Sequence, residues 1–327
     1  MKLLVLGGSD FVGRAFAEEA YALGHDVTVL NRGTRPAPAG ATALRGDRSA
    51  PDGLAALRRG EWDVVVDTWT GAPSAVRDAA GLLAGRAGHY VYVSSRSVHG
   101  YPAAAGADES APVVEASPDD GDDVDYARAK TGGELAAVAA FGERALLARA
   151  GLILGPYENV GRLPWWLSRV AKGGRVPAPG PPGLGLQYID ARDLALWCLD
   201  AAARGLGGAY NTVSVPGFTT MGELLETCVR VTGSGAELRW IDADAILAAG
   251  VKPWTELPIW AVGEGHETLH QGDVSRAVAA GLRCRPVEET VADTWSWLVG
   301  IGGQAPPRPG RPPVGLTPEQ EATLLSL

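Results

Sequence analysis

The first 95 residues alternate short apolar runs with longer mixed stretches. Runs rich in Val, Leu or Tyr at 2–6, 26–30, 62–67 and 89–94 predict buried strands. Ala/Leu-rich stretches at about 12–23 and 73–84 predict helices between them. Alternation of this kind predicts parallel strands joined by right-handed crossovers, a doubly wound α/β sheet. Residues 97–125, rich in Ala, Asp and Pro, predict a loop. A helix from Tyr126 to about 141 and a strand over 145–149 follow.

The composition shifts after Gly155-Pro156. Residues 173–185 are dense in Gly and Pro and predict a connecting loop rather than an element. Gln187-Tyr-Ile-Asp-Ala-Arg-Asp193 leads into a helix ending near 203, and 209–213 predicts a strand. Thr220 is the expected cap of a helix over 221–232, with Glu223 in the capping-box position. Residues 1–157 form the expected dinucleotide-type domain, with about 187–214 returning to it. Residues 158–186 and 215–300 form the expected second unit, and 301–327 a tail, Pro- and Gly-rich at 303–313, before a short terminal helix. There is no internal repeat.

At 327 residues the chain is long enough for a large core plus a cap. No run of eighteen or more apolar residues occurs, so no membrane span is expected. The N-terminal apolar stretch is too short for a signal peptide and is expected to be the first strand. Three widely spaced cysteines (Cys198, Cys228 and Cys284) argue against a disulfide framework and for a reducing cytoplasm. A net charge of −9 disfavours generic nucleic-acid binding.

Chemistry enters with Tyr126 and Lys130, four residues apart at the start of a predicted helix. Residues at that spacing share a helix face. A free phenol has a pKa of about 10, and a nearby ammonium favours the phenolate and lowers it. Moving hydride between a nicotinamide and a carbinol requires a proton to leave or reach the oxygen. Tyr126 is therefore the candidate acid/base, and Lys130 its electrostatic partner and ribose ligand. Ser94-Ser95 ends the 89–94 strand, and the Ser95 hydroxyl is the candidate that positions the substrate oxygen.

The chain opens with a strand and a glycine turn, Gly7-Gly8-Ser9-Asp10-Phe11-Val12-Gly13. Such a turn brings the backbone close to a pyrophosphate at the following helix N-terminus. Asp10 stands where a middle glycine is usual, and its carboxylate opposes phosphate unless it points outward. The second strand ends Asn31-Arg32. An acidic residue there holds a ribose 2′-hydroxyl, whereas arginine accommodates a 2′-phosphate, so NADP(H) is expected over NAD(H). Asp47, with Arg48, is expected beyond the third strand, near the adenine, or else as a turn cap. Thr68, Trp69, Ser94 and Leu152 complete the expected cofactor contacts.

On these residues the chain resembles an extended or atypical short-chain dehydrogenase/reductase of the NAD-dependent epimerase/dehydratase group. Phe11 in the glycine turn, Ser94-Ser-Arg-Ser-Val-His-Gly100, Tyr126 with Lys130, Arg149-Ala-Gly-Leu-Ile-Leu-Gly-Pro156 and the Gln187–Asp193 segment carry the likeness, over about residues 1–300. The resemblance implies a Rossmann sheet plus a smaller C-terminal α+β substrate-binding domain. It also implies that Ser95 rather than Ser94 is the catalytic serine, and that a homodimer forms through the helix carrying Tyr126 and Lys130. Asp10, Leu6 and His99 depart from the usual pattern.

The implied activity is an NADP(H)-dependent interconversion of carbonyl and hydroxyl on a small or natural-product substrate. A nucleotide-sugar epimerase with tightly held NAD is the alternative. Arg149, Arg162, Arg169, Lys172, Arg175 and Arg192 are candidate diphosphate ligands. Trp165-Trp166, Trp254 and Trp260 suit a flat substrate or a core. Five carboxylates in Asp119–Asp125 either oppose a diphosphate or form a solvated loop. Arg96 and Ser97 stand where sugar dehydratases carry an Asp-Glu pair, which disfavours dehydration. His266-Glu-Thr-Leu-His270 matches a zinc-protease pattern, but glycines bracket it and Thr268–Gln271 predicts a short strand, so no metal is expected. A non-catalytic RNA- or ligand-binding relative is the remaining alternative, opposed by the intact Ser95/Tyr126/Lys130 set.

Overall fold

The computed structural model describes residues 1–304 and 314–327. Most of the Pro-rich 303–313 stretch therefore lies outside the described residues. Six parallel strands run in chain order as β1 (Lys2–Leu6), β2 (Asp26–Asn31), β3 (Thr42–Arg45), β4 (Trp62–Asp67), β5 (Ala87–Ser95) and β6 (Ala145–Ala150). A seventh strand, Gly208–Thr212, adds beside β6. From that edge the order is the Gly208–Thr212 strand, β6, β5, β4, β1, β2 and β3, with the crossover reversal between β1 and β4. In such a sheet ligands gather at the carboxyl ends of the strands, outside the reversal.

The pleat divides the apolar residues between two layers. Leu3 and Val5 face helix α1 (Phe11–Ala22) and helix α5 (Ala191–Ala203), while Leu4 and Leu6 face α2 (Pro73–Leu83) and α3 (Tyr126–Phe141). Both faces are buried, which is why the strands are near-continuous apolar runs. A separate core gathers around Trp166, Leu224 and Trp260, between α4 (Arg162–Ala171), α6 (Met221–Thr232) and the Val287–Gly300 helix. Thr220 caps α6 in a complete capping box with Glu223, as its sequence predicts.

Two expectations fail in this second region. Arg175–Pro179, expected as loop, is a strand paired in parallel with Glu237–Ile241. Its prolines are tolerated because a two-stranded sheet leaves each strand a free edge that needs no N–H. Thr268–Gln271, expected as a strand, is a series of turns. Helices α4 and Val287–Gly300 had no sequence forecast. Among the described residues no helix is long and apolar enough to cross a membrane.

Candidate active site

The turn after β1 must reverse the chain and still let α1 pack closely. Gly7 has φ +98°, and a Cβ on Gly13 would lie 2.2 Å from the Gly7 carbonyl oxygen. A side chain at Gly13 would therefore block the close return of α1 onto the turn. Gly7, Asp10, Phe11, Val12 and Gly13 line one cleft of about 740 Å³. The positive end of α1 thus faces a cavity within the size range of small-molecule and cofactor sites.

Asp10 precedes α1 with extended backbone and makes no side-chain cap. Its carboxylate accepts instead from Arg35 Nη1 at 2.8 Å and Asn159 Nδ2 at 2.6 Å. The charge expected to oppose phosphate is therefore offset by a cation. Gly8 and Ser9 are buried beneath the turn, and Asn31 Nδ2 donates to Ser9 Oγ at 2.5 Å. Asn31 Oδ1 also accepts from Gly33 N at 2.8 Å. Arg32 is exposed past the end of β2. Asp47 is half-buried just before a turn, accepting from Ser49 N and Oγ. The Ser49 hydrogen bonds hold its carboxyl below the usual range, with Arg32 adding to the effect.

Arg48 departs from its expected place at the cofactor. It is turned inward, donating to both Asp67 oxygens at 2.5 and 2.8 Å and to Ala75 O at 2.8 Å. Burial alone would raise Asp67, but the bidentate guanidinium overrides it and holds the carboxyl below the usual range. Trp69 stacks under Arg48 at 4.9 Å and donates from Nε1 to Ala72 O, outside the cleft lining. Thr68 and Leu152 do line the cleft, and Thr68 Oγ1 donates to Leu6 O at 3.0 Å.

The two serines at the end of β5 divide their work by the strand's alternation. Ser94 points into the fold and donates to Glu134 Oε1 at 2.6 Å, and Glu134 pairs with buried Arg149 at 2.8 Å. Ser94 is thereby committed to structure rather than to the cleft. Ser95 faces the cleft and its Oγ accepts from Ser97 N at 3.1 Å.

Tyr126 is the first residue of α3, whose N-cap Asp125 accepts from Arg128 N at 2.9 Å. Its ring opens into the same cleft as Ser95. Lys130, one turn later, is 2% exposed. Its Nζ donates to Trp69 O at 2.6 Å and Val93 O at 2.7 Å, tying α3 to the ends of β4 and β5. The ammonium lies 6.0 Å from the Tyr126 ring centroid.

The acidic loop does not face the cleft. Asp119 pairs with Arg77, Asp120 with Arg128 at 3.4 Å, and Asp122 accepts from Ala72 N at 2.9 Å. Together with the Asp125 cap, these carboxylates position α2 and α3. Of the six candidate diphosphate cations, Arg162 lines the cleft, stacked over Trp254 at 4.7 Å. Arg149 holds Glu134, Arg169 holds Glu321 and Arg192 holds Asp190 and Asp293. Arg175 donates to Leu325 O. Trp166 and Trp260 are core, with their indole N–H groups donating to Pro258 O and Gly180 O.

The two histidines of the zinc-like pattern part company. His266 lines the cleft, whereas His270 is buried with its ring nitrogens on Gln187 and Ile259 backbone atoms. No group of three metal-ligand residues occurs among the described residues. The cleft also includes Arg96, Tyr101 and Asn159, none of them a sequence candidate. Arg96 carried a usable signal, as a charge directly after a strand-end serine.

The sequence model of the NAD dependent epimerase/dehydratase family matches residues 3–212. None of the curated proteins matches the chain. Among solved structures, the Bordetella bronchiseptica enzyme WbmH in complex with NAD+ is 17% identical, covering 92% of this chain and 99% of its own, with a TM-score of 0.66. A Bacillus anthracis dTDP-glucose 4,6-dehydratase in complex with NAD is 14% identical, covering 92% and 97%, with a TM-score of 0.66. A Bacillus cereus UDP-glucuronic acid 4-epimerase in complex with NAD is 14% identical, covering 92% and 99%, with a TM-score of 0.63. At these identities the likeness is one of fold. The family match spans well over half of the sequence: the chain belongs to the NAD dependent epimerase/dehydratase family.

Proposed function

We propose that this protein is a nicotinamide-dependent oxidoreductase that interconverts a carbinol and a carbonyl, with Tyr126 handling the proton. The observation that carries this reading is the shared cleft: the glycine turn, Ser95 and Tyr126 line one cavity, with Lys130 buried beneath Tyr126. Gly7 through Gly13 would hold the pyrophosphate, and Thr68 and Leu152 the nearby cofactor surface. A bound nicotinamide supplies the hydride donor or acceptor. Ser95 holds the reacting oxygen, Tyr126 gives or takes its proton, and the Lys130 charge favours the phenolate.

NADP(H) remains the preferred cofactor in this reading. No carboxylate ends β2, and Arg32 is exposed there with Arg45 packed beside Gly33. A second reading, an epimerase that keeps NAD for internal redox, is favoured by the NAD-bound nucleotide-sugar enzymes that share the fold. The free cysteines suit a reducing cytoplasm, and exposed Leu135 and Val138 on α3 suit a homodimer. Freshly purified protein should be denatured, any released nicotinamide weighed by mass spectrometry, and the emptied protein titrated with NADPH and NADH. An empty site preferring NADPH supports the exchanging oxidoreductase; non-exchanging NAD establishes the epimerase instead.

A further inference from the structure

Arg96 follows Ser95 directly and forms part of the cleft wall while only 4% exposed. Its Nη1 donates to Gln187 Oε1 at 3.2 Å and to Leu269 O at 3.1 Å, both neutral acceptors. Its Nε is buried without a partner. A Cβ on Gly272 would lie 2.1 Å from the guanidinium carbon, so the group lies flat against that backbone. Gly272 N in turn donates to Gln187 Oε1 at 2.8 Å. The guanidinium is therefore fixed in place.

What it lacks is a counter-charge. Buried Arg48 and Arg149 hold Asp67 and Glu134 at 2.5 and 2.8 Å. Among the described residues Arg96 forms no ion pair, and the ionisable groups around it are the Tyr101 phenol and the His99 and His270 imidazoles, none of them an anion at neutral pH. Burial pushes that phenol above its usual range, so it is neutral at neutral pH. Among the lining residues the one carboxylate is Asp10, already engaged by Arg35 at the glycine turn. Arg162 adds a second positive charge beside Trp254. A buried, uncompensated guanidinium is costly, and such groups concentrate where a ligand supplies the missing charge.

We propose that Arg96 binds a carboxylate of the substrate, which is an oxo or hydroxy acid whose reacting oxygen sits on Ser95 and Tyr126. The assignment rests on the oxidoreductase reading for the neighbouring chemistry, but not for the binding itself. A carboxylate matches one enclosed guanidinium in charge and in its two-pronged geometry. Against Arg96 alone a phosphate dianion would leave one negative charge unbalanced.

The test is binding, read by calorimetric titration of the NADP+-saturated protein. The probes are 2- and 3-oxo acids, each beside its neutral ketone counterpart (pyruvate beside acetone, for example), and inorganic phosphate. The acids should bind the wild type roughly ten- to hundredfold tighter than the ketones. Arg96→Met should erase that gap, and phosphate should bind both proteins alike. An equal gap in Arg96→Met, acids that bind no better than ketones, or phosphate binding lost with Arg96 would each overturn the assignment. Should Arg96→Met lose its fold, Arg96→Lys decides: it keeps the charge and loses the fork, so the gap should narrow severalfold, and an unchanged gap overturns the proposal. Tyr126→Phe separates the two readings. Arg96-dependent acid binding in a wild type without nicotinamide-dependent turnover sinks the oxidoreductase reading alone. Ketone turnover that needs Tyr126 but shows no acid preference sinks the carboxylate site alone.

Discussion

The two ends of the cleft hold charge differently. At the glycine turn, Asp10 is met by Arg35 and Asn159, and beneath the neighbouring strand end Arg48 is met by Asp67. At the serine end, Arg96 is buried against neutral acceptors. A paired end is already satisfied by its own residues, so it can be rigid before any ligand arrives. An unpaired end is finished by what binds there. The contrast separates residues that build the scaffold from residues that select the ligand.

The strongest way to separate the ends is Tyr126→Phe. Turnover should fall by at least about 10²–10⁴-fold, the usual worth of a positioned acid/base, while cofactor affinity stays within a few fold. Retained turnover in steady-state assays would remove Tyr126 from the chemistry. The second variant makes the paired end resemble the unpaired one. Asp67→Asn leaves Arg48 buried without its charge and should cost about 3–5 kcal/mol in urea unfolding. Arg96→Met gives up two hydrogen bonds to neutral carbonyls but also relieves a buried charge that has no ionic partner, and the net loss should be about 1 kcal/mol or less. Equal losses in the two variants would dissolve the distinction.

Between the ends lies Glu158, fully buried and accepting from Arg162 N at 2.8 Å and Leu163 N at 3.1 Å at the start of α4. Burial pushes its carboxyl up to about 7, against the opposing pull of Arg162. The folded state therefore holds a proton that the unfolded chain releases near its ordinary value. The resulting stability is present below about 4.5 and is lost as pH rises through about 7. Urea unfolding should show a decline on the order of 1–3 kcal/mol from this group between those limits, flattened in Glu158→Gln. A slope unchanged by the substitution would remove Glu158 as its source. The smallest effect belongs to Arg35→Ala. Both partners of its pair with Asp10 are more than a third exposed. Cofactor affinity should weaken by about fivefold at most, since exposed pairs contribute up to about 1 kcal/mol. Tighter binding would show that Arg35 obstructs the phosphate path.

The same division explains what the sequence disclosed. The glycine turn, the serines ending β5 and the Tyr126–Lys130 pair are set by local backbone geometry, so spacing alone brings them forward. Arg48 and Arg96 look alike in the chain, each beside a recognisable motif. Their fates differ because Asp67 waits for one, while Gln187 and Leu269 wait for the other. Such pairings join distant segments and leave no periodic trace. The acidic loop left two readings open for a related reason: its carboxylates stay at the surface as caps and ion pairs, which composition cannot distinguish from charges facing a cleft. Arg175–Pro179 was hidden by its prolines, which an edge strand permits.

The return of Gly208–Thr212 to the edge beside β6 bears on synthesis. During translation β1 through β6 leave the ribosome first, at about 5–20 residues per second. Their sheet then waits for two further pieces, α5 and the last strand. Until α5 emerges, the face of α1 that packs against it has no helix to cover it. The nascent chain must therefore carry an apolar surface through the whole span that builds α4. A gene fragment ending near residue 157 would carry it permanently, which makes the N-terminal half a poor unit to express alone or to exchange between relatives.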